Sequence, residues 1–162
     1  MEEINEQTTV YDAKLYLREN FSEGLACPCC GQFVKKYKYN LFATSALALI
    51  DLLKISKETG DQYHHVKTFA EARNGLPRAS HFAQLRFWGL IEPMKNNEFY
   101  KKASGMWSIT ARGVKFVMND ESVRKSVYVF NNKFLGFDGG KITIKEALGN
   151  KFNYSEIMSS NY

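Results

Sequence analysis

Apolar residues recur at Leu41, Ala48, Leu49, Leu52 and Ile55 with a helical period, and Phe42, Ala46, Ile50 and Leu53 widen the apolar arc. So wide an arc predicts a helix from Leu41 to Lys57 that is buried on most sides, with Asn40 as its cap and Gly60 as its end. Before it, Tyr11, Leu15 and Tyr16 mark one weakly amphipathic helix over Thr9 to Asn20, and the alternation of Phe33-Val-Lys-Lys-Tyr-Lys-Tyr39 reads as a strand. After it, Val66, Phe69 and Ala70 predict a second helix to about Arg73, and Asn74-Gly75 turns the chain. A third helix then opens at Pro77, a favourable first helical residue, and runs to Trp88.

Gly89 takes the backbone out of that helix, and Leu90-Ile91 begins a strand. A second strand ends at Ile109, with a loop tip over Lys95–Gly105 between the two. Thr110 opens a helix over Ala111–Asn119. Further on, Ser126–Phe130 and Lys133–Phe137 flank Asn131-Asn132 as a hairpin, Ile142-Thr-Ile144 adds a third strand, and a short helix over Tyr154–Met158 closes the chain. The expected class is α+β, divided into 1–39, 40–121 and 122–162.

The middle segment carries a specific rhythm: Leu85, then Gly89-Leu-Ile-Glu92, then Trp107-x-Ile-Thr-x-x-Gly113-x-x-Phe116. It resembles the second half of a winged helix-turn-helix domain, of the MarR-like or phage and plasmid regulator kind. The resemblance implies a winged helix-turn-helix core flanked by an N-terminal Cys-containing extension and a small β-rich C-terminal extension. It implies double-stranded DNA as partner, with the third helix in the major groove and the wing on phosphate. Carried onto this chain, it turns Phe82, Leu85, Gly89 and Leu90 to the packed side and Arg78, Ser80, His81 and Gln84 to the groove. Arg and Gln side chains can read guanine and adenine edges, and Ser either. Lys95, Lys101 and Lys102 at the wing, with Arg112 and Lys115 on the next helix, are the phosphate donors of this reading. One departure from the family pattern is Phe87-Trp88, two large aromatics where polar residues are usual. They require a cover from the N-terminal segment, the C-terminal sheet or a second subunit, or else form a protein interface.

Charge sharpens this picture. The chain carries a net +5, yet residues 1–25 hold Glu2, Glu3, Glu6, Asp12, Glu19 and Glu23 against Lys14 and Arg18. A basic body behind an acidic leader fits a polyanionic partner, because clustered lysines and arginines release counterions from phosphates. It equally fits a surface kept soluble by lysine.

The three cysteines crowd into Cys27-Pro-Cys-Cys30-Gly, the C-P-x-C-G form of a zinc-ribbon knuckle. That spacing puts two thiolates on one metal. A structural zinc would be completed by His64 and His65, by Cys29, or by ligands of a second copy; the other reading is a knuckle that keeps its turn without metal. The chain holds no G-x-S-x-G, P-loop, H-E-x-x-H or G-x-G-x-x-G, so an enzyme is not expected. An acidic start and the lack of a long apolar run lead to a cytoplasmic expectation with no membrane partner.

Two functions follow. One is a DNA-binding transcriptional regulator or accessory factor acting as a homodimer. The other is a non-catalytic adaptor, or an inhibitor of a nucleic-acid enzyme, encoded by a phage or mobile element and reusing the fold for a protein partner. Openness of the Arg78–Gln84 face separates them.

Overall fold

The computed structural model describes residues 4–71, 79–95 and 105–160 of an α+β chain. Two compact units share it: Met1–Tyr39 with Tyr128–Gly136, and Asn40–Val127 with Phe137–Tyr162.

In the first unit, helix α1 (Val10–Asn20) begins at Thr9, whose hydroxyl accepts the Asp12 amide as an N-cap. Strands β1 (Leu25–Ala26) and β2 (Phe33–Val34) pair antiparallel with Leu25 opposite Val34, and the cysteine segment forms the turn between them. The strand expected over 33–39 is broken. Lys36 donates its amide to the Phe21 carbonyl at 2.8 Å, so the backbone leaves the ladder at Lys35-Lys36 before β3 (Tyr37–Asn40) begins. Phe21 meets Phe130 edge to face at 5.0 Å, giving the unit a small aromatic centre.

The second unit is built around α2 (Ala43–Thr59), in which every residue from Ser45 to Leu53 is buried. A helix with no solvated face in its central turns must be covered on all sides. The helices Ala79–Ala83, Ala111–Val117 and Ile144–Leu148, a wide π-type turn over Lys67–Glu71, and the strand Met106–Ile109 supply that cover. The left-handed Gly60 (φ 75°) ends α2 as its composition predicts, but Asn40 does not cap it. Asn40 is the last residue of β3, its Oδ1 accepts the Ser126 hydroxyl at 2.6 Å, and Phe42 stands at the cap position without a side-chain bond.

Strand β4 (His64–His65) and the π-type turn follow α2. Helix α3 (Ala79–Ala83) then tightens into 3₁₀ geometry over Gln84–Trp88. Strands β5 (Ile91–Pro93) and β6 (Met106–Ile109) and helix α4 (Ala111–Val117) complete the segment. The three strands form one antiparallel sheet in the order β4-β6-β5, with His64 opposite Trp107 and Ile91 opposite Ile109. Residues 96–104, the expected wing tip with Lys101 and Lys102, lie outside the described residues, as does Arg78.

The corner from Trp88 to Thr110 fastens these pieces together. Gly89 adopts φ 71°, a left-handed conformation that glycine takes without steric cost. The Thr110 hydroxyl donates to the Gly89 carbonyl at 2.6 Å and accepts the Gly113 amide at 3.0 Å, while the Thr110 amide donates to Leu90 O. One threonine thus caps α4 and pins it to the end of the preceding helix.

Strands β7 (Val123–Phe130) and β8 (Lys133–Ile142) form a hairpin whose Asn131 and Asn132 both adopt positive φ, as a type I′ turn demands. With β3 they make a three-stranded sheet in the order β3-β7-β8. The third strand expected at Ile142–Ile144 is absent. Thr143 instead opens α5 (Ile144–Leu148) with a full capping box to Glu146, because satisfying two free helix amides outweighs the two-residue apolar alternation. The last helix, α6 (Tyr154–Ser159), is tied down by Tyr154, whose hydroxyl donates to Val117 O at 2.7 Å. Lys54 donates to the carbonyls of Ile157 and Ser160 at the end of α6.

Candidate nucleic-acid interface

The helix Ala79–Trp88 presents two kinds of position. Phe82, Leu85 and Trp88 are each 1% exposed, whereas His81, Gln84, Arg86 and Phe87 are half-buried. Phe82 packs edge to face against Phe69 and Trp107, which fixes the rotation of the helix. Gln84 therefore sits on the partly open face. His81 lies beside it with its ring edge to face against Phe42 at 5.3 Å, and among the described residues its buried Nδ1 has no hydrogen-bond partner. The side chain of Ser80 lies outside what is described.

Arg86, not among the sequence-derived candidates, is also half-buried but on the flank of the helix opposite Gln84, its guanidinium 4.8 Å from the Phe87 ring centre. An arginine held on an aromatic face loses less freedom when it engages a phosphate or a base edge. The flank that Arg86 occupies follows from its place one residue after the buried Leu85 in the tightened last turn.

Trp88 is not at the surface. Its indole N–H donates to Arg124 O at 2.6 Å, so the cover comes from β7. Phe87 keeps partial exposure.

Lys95 and Lys115 are exposed. Arg112 is turned inward: one terminal nitrogen donates to Trp88 O and Nε to Glu121, both at 2.9 Å. Its ion pair is partly exposed, with side chains at 41% and 34%, so its electrostatic contribution is at most about 1 kcal/mol. The Trp88 contact makes Arg112 a brace of the helix end as much as a phosphate donor.

The cysteine turn is ordered by its backbone. Cys27 donates its amide to Gln32 O and accepts the Gly31 amide, both at 2.8 Å, with Gly31 at φ 72°. The amides of Cys29 and then Cys30 hydrogen-bond to the Cys27 sulfur and, with the neighbouring thiols, lower its pKa against a smaller opposing effect of burial. The turn is therefore shaped for a thiolate at Cys27. A second pair of ligands does not gather: among the described residues no three His, Cys, Asp or Glu side chains form a metal-holding group. His64 and His65 are consecutive on β4, so their side chains leave opposite faces. His64 is buried with Nε2 at 3.0 Å from Asp61 O, and His65 accepts the Lys67 amide on Nδ1. Two thiols on one turn fit half of a zinc site.

The lowered Cys27 pKa has a direct readout. Iodoacetamide labelling across a pH series, followed by peptide mass spectrometry, is expected to modify Cys27 with a midpoint below the ordinary thiol value. A midpoint at or above that value would mean that the two amides do not hold the sulfur.

No protein-family model matches the chain, and neither does any curated protein or solved structure. Among the described residues no helix is long and apolar enough to cross a membrane.

Proposed function

We propose that the protein is a non-catalytic, double-stranded DNA-binding protein of winged-helix type, acting as a regulator or accessory factor. The observation that carries this reading is the arrangement of the second unit. A core helix, a short strand, two helical segments and two further strands follow in order, with the first strand paired to the last, β4-β6-β5. That layout leaves the Ala79–Trp88 helix with one face locked by Phe82, Leu85 and Trp88 and its half-buried flanks carrying Gln84 on one side and Arg86 on the other. The segment joining β5 to β6 carries Lys95, Lys101 and Lys102, which suit phosphate. Trp88 is buried within the unit, while Phe87 keeps partial exposure.

The test is fluorescence anisotropy with a labelled random-sequence duplex at low and moderate salt. Micromolar binding that weakens steeply with salt is expected. Exchanging Gln84 for Ala should flatten differences between sequences, by about 1–3 kcal/mol at the base it reads. Exchanging Lys101 and Lys102 for Ala should weaken binding to every sequence and lower the salt slope by about 0.9 per lysine. Absence of binding at low salt would overturn the proposal.

A further inference from the structure

In the first unit the charges are segregated. Every carboxylate lies in the segment through Glu23, whereas 33–39 and 128–136 carry Lys35, Lys36, Lys38 and Lys133 and no acid. Aromatic side chains interleave with these lysines and are unusually open: Phe33 is 66% exposed, Tyr37 48% and Phe134 47%. Rings left in water represent apolar burial forgone, and their concentration among lysines in so small a unit calls for a partner that uses both.

The geometry defines how they are presented. Tyr37 and Tyr39 stand two residues apart on β3, so both side chains leave the same face. Their rings are within 9° of parallel with centroids 6.4 Å apart, a short stack whose outer member, Tyr37, is the exposed one. Lys38 between them alternates to the opposite face, and its ammonium group and that of Lys36, which precedes the strand, lie 5.8 and 4.5 Å from the Tyr128 ring centre. A cation over an aromatic face keeps its charge while its long stem is held in place. Phe33 is steadied differently, against Gly24, where a Cβ would meet its ring at 2.5 Å. The unit therefore offers flat, partly fixed rings flanked by anchored positive charge.

We propose that this surface binds single-stranded nucleic acid along β3, an edge strand of the β3-β7-β8 sheet, with an unpaired base stacking on Tyr37 and the phosphates following that edge to Lys35, Lys36 and Lys38. Stacking is indifferent to base identity because every base has a flat π-face, and lysine supplies the matching charge. Duplex DNA is excluded from this mode, because its bases are already stacked on one another. The site is separate from the duplex-reading helix proposed above and does not rest on it. A chain carrying both would be suited to places where duplex and unpaired strand meet.

The experiment is anisotropy of the full chain with a labelled oligo(dT) strand of roughly 16 nucleotides, a length suited to one small binding surface. Wild type is expected to bind in a salt-dependent manner. Tyr37→Leu should weaken binding by roughly 5- to 100-fold while Tyr37→Phe, which keeps the ring, stays within about twofold. Lys38→Ala should lower the salt slope by about 0.7, and Gln84→Ala should leave oligo(dT) binding unchanged. Far-UV circular dichroism verifies that Tyr37→Leu is folded. No binding of oligo(dT) by wild type at low salt overturns the proposal. Equal binding by folded Tyr37→Leu also overturns it, leaving the lysines as a contact for some other polyanion such as an acidic protein segment. Loss of duplex binding alone would sink the winged-helix reading and leave this one standing.

Discussion

Trp88→Ala is expected to destabilise the second unit by roughly 3–5 kcal/mol, the range for removing a large buried aromatic. Three connections meet at this residue. Its ring is 1% exposed, its N–H donates to Arg124 O on β7, and its own carbonyl accepts from Arg112 on α4. Truncation opens a cavity and leaves the Arg124 carbonyl without its donor, and an orphaned buried acceptor adds about 1–3 kcal/mol wherever water cannot reach it. Against a typical total of about 5–15 kcal/mol, the variant would stand near the threshold of folding. Urea denaturation followed by far-UV circular dichroism reads this directly, with Trp107 as an internal fluorescence probe. Trp88→Phe separates the parts, retaining most apolar contact while losing the hydrogen bond, and should fall between wild type and the alanine variant. A loss below about 1 kcal/mol for Trp88→Ala would mean that this corner does not hold the unit together.

Gly113→Ala sets helix propensity against packing, and the two predict opposite signs. Gly113 lies inside α4, and in a free helix alanine would stabilise by about 1 kcal/mol. Here an added Cβ would stand 2.2 Å from Leu90 O and 2.7 Å from Ile109 Cγ1. The Leu90 carbonyl is backbone and already accepts the Thr110 amide at 3.0 Å, so it cannot move aside without breaking the corner. Packing should win, with a net destabilisation of about 3 kcal/mol, at the upper end for overpacked sites. Thermal and urea unfolding of the single variant decide it. A rise in stability would show that α4 does not approach β5 this closely.

This corner also shows what the sequence could and could not convey. The rhythm Gly89-Leu-Ile followed by Ile-Thr-x-x-Gly113 marks a turn and a capped helix, because glycine and threonine have local roles there. The long apolar arc of α2 was equally legible from its aliphatic residues, but the burial of Ser45 and Asp51 among them was not. Asn131-Asn132 was legible for the same local reason, two residues that tolerate positive φ.

What was hidden depends on distant partners. Asn40 reads as a helix cap, but its side chain is engaged by Ser126, 86 residues away, and no local pattern announces that bond. Trp88 visibly needed a cover, yet the carbonyl of Arg124 could have belonged to any later strand. His64 and His65 form β4, a strand of two residues that no local pattern announces. Thr143 and Glu146 were a missed local signal: their capping-box spacing was present, but Ile142 and Ile144 around Thr143 suggested alternation instead. At the candidate interface, the half-buried place of Gln84 beside the buried Leu85 follows from helix spacing, while the contacts of Arg112 depend on Glu121 and the Trp88 carbonyl, neither fixed by spacing alone.

The division of the chain has a bearing on how it is made. The first unit consists of residues up to Tyr39 and of Tyr128–Gly136, so 88 residues of other structure are synthesised between its two parts. During translation the N-terminal segment, with its cysteine turn and tyrosine stack, emerges long before the hairpin tip that completes its unit. The second unit receives most of its chain first, and α2 can begin to gather neighbours while the first unit is still unfinished. Closing so long a loop raises the entropic cost only slowly with length, but it delays the contacts that repay it. The N-terminal segment is thus the early part of the chain that waits longest for its fold, and a protein shortened before residue 128 would release it without the strands it needs.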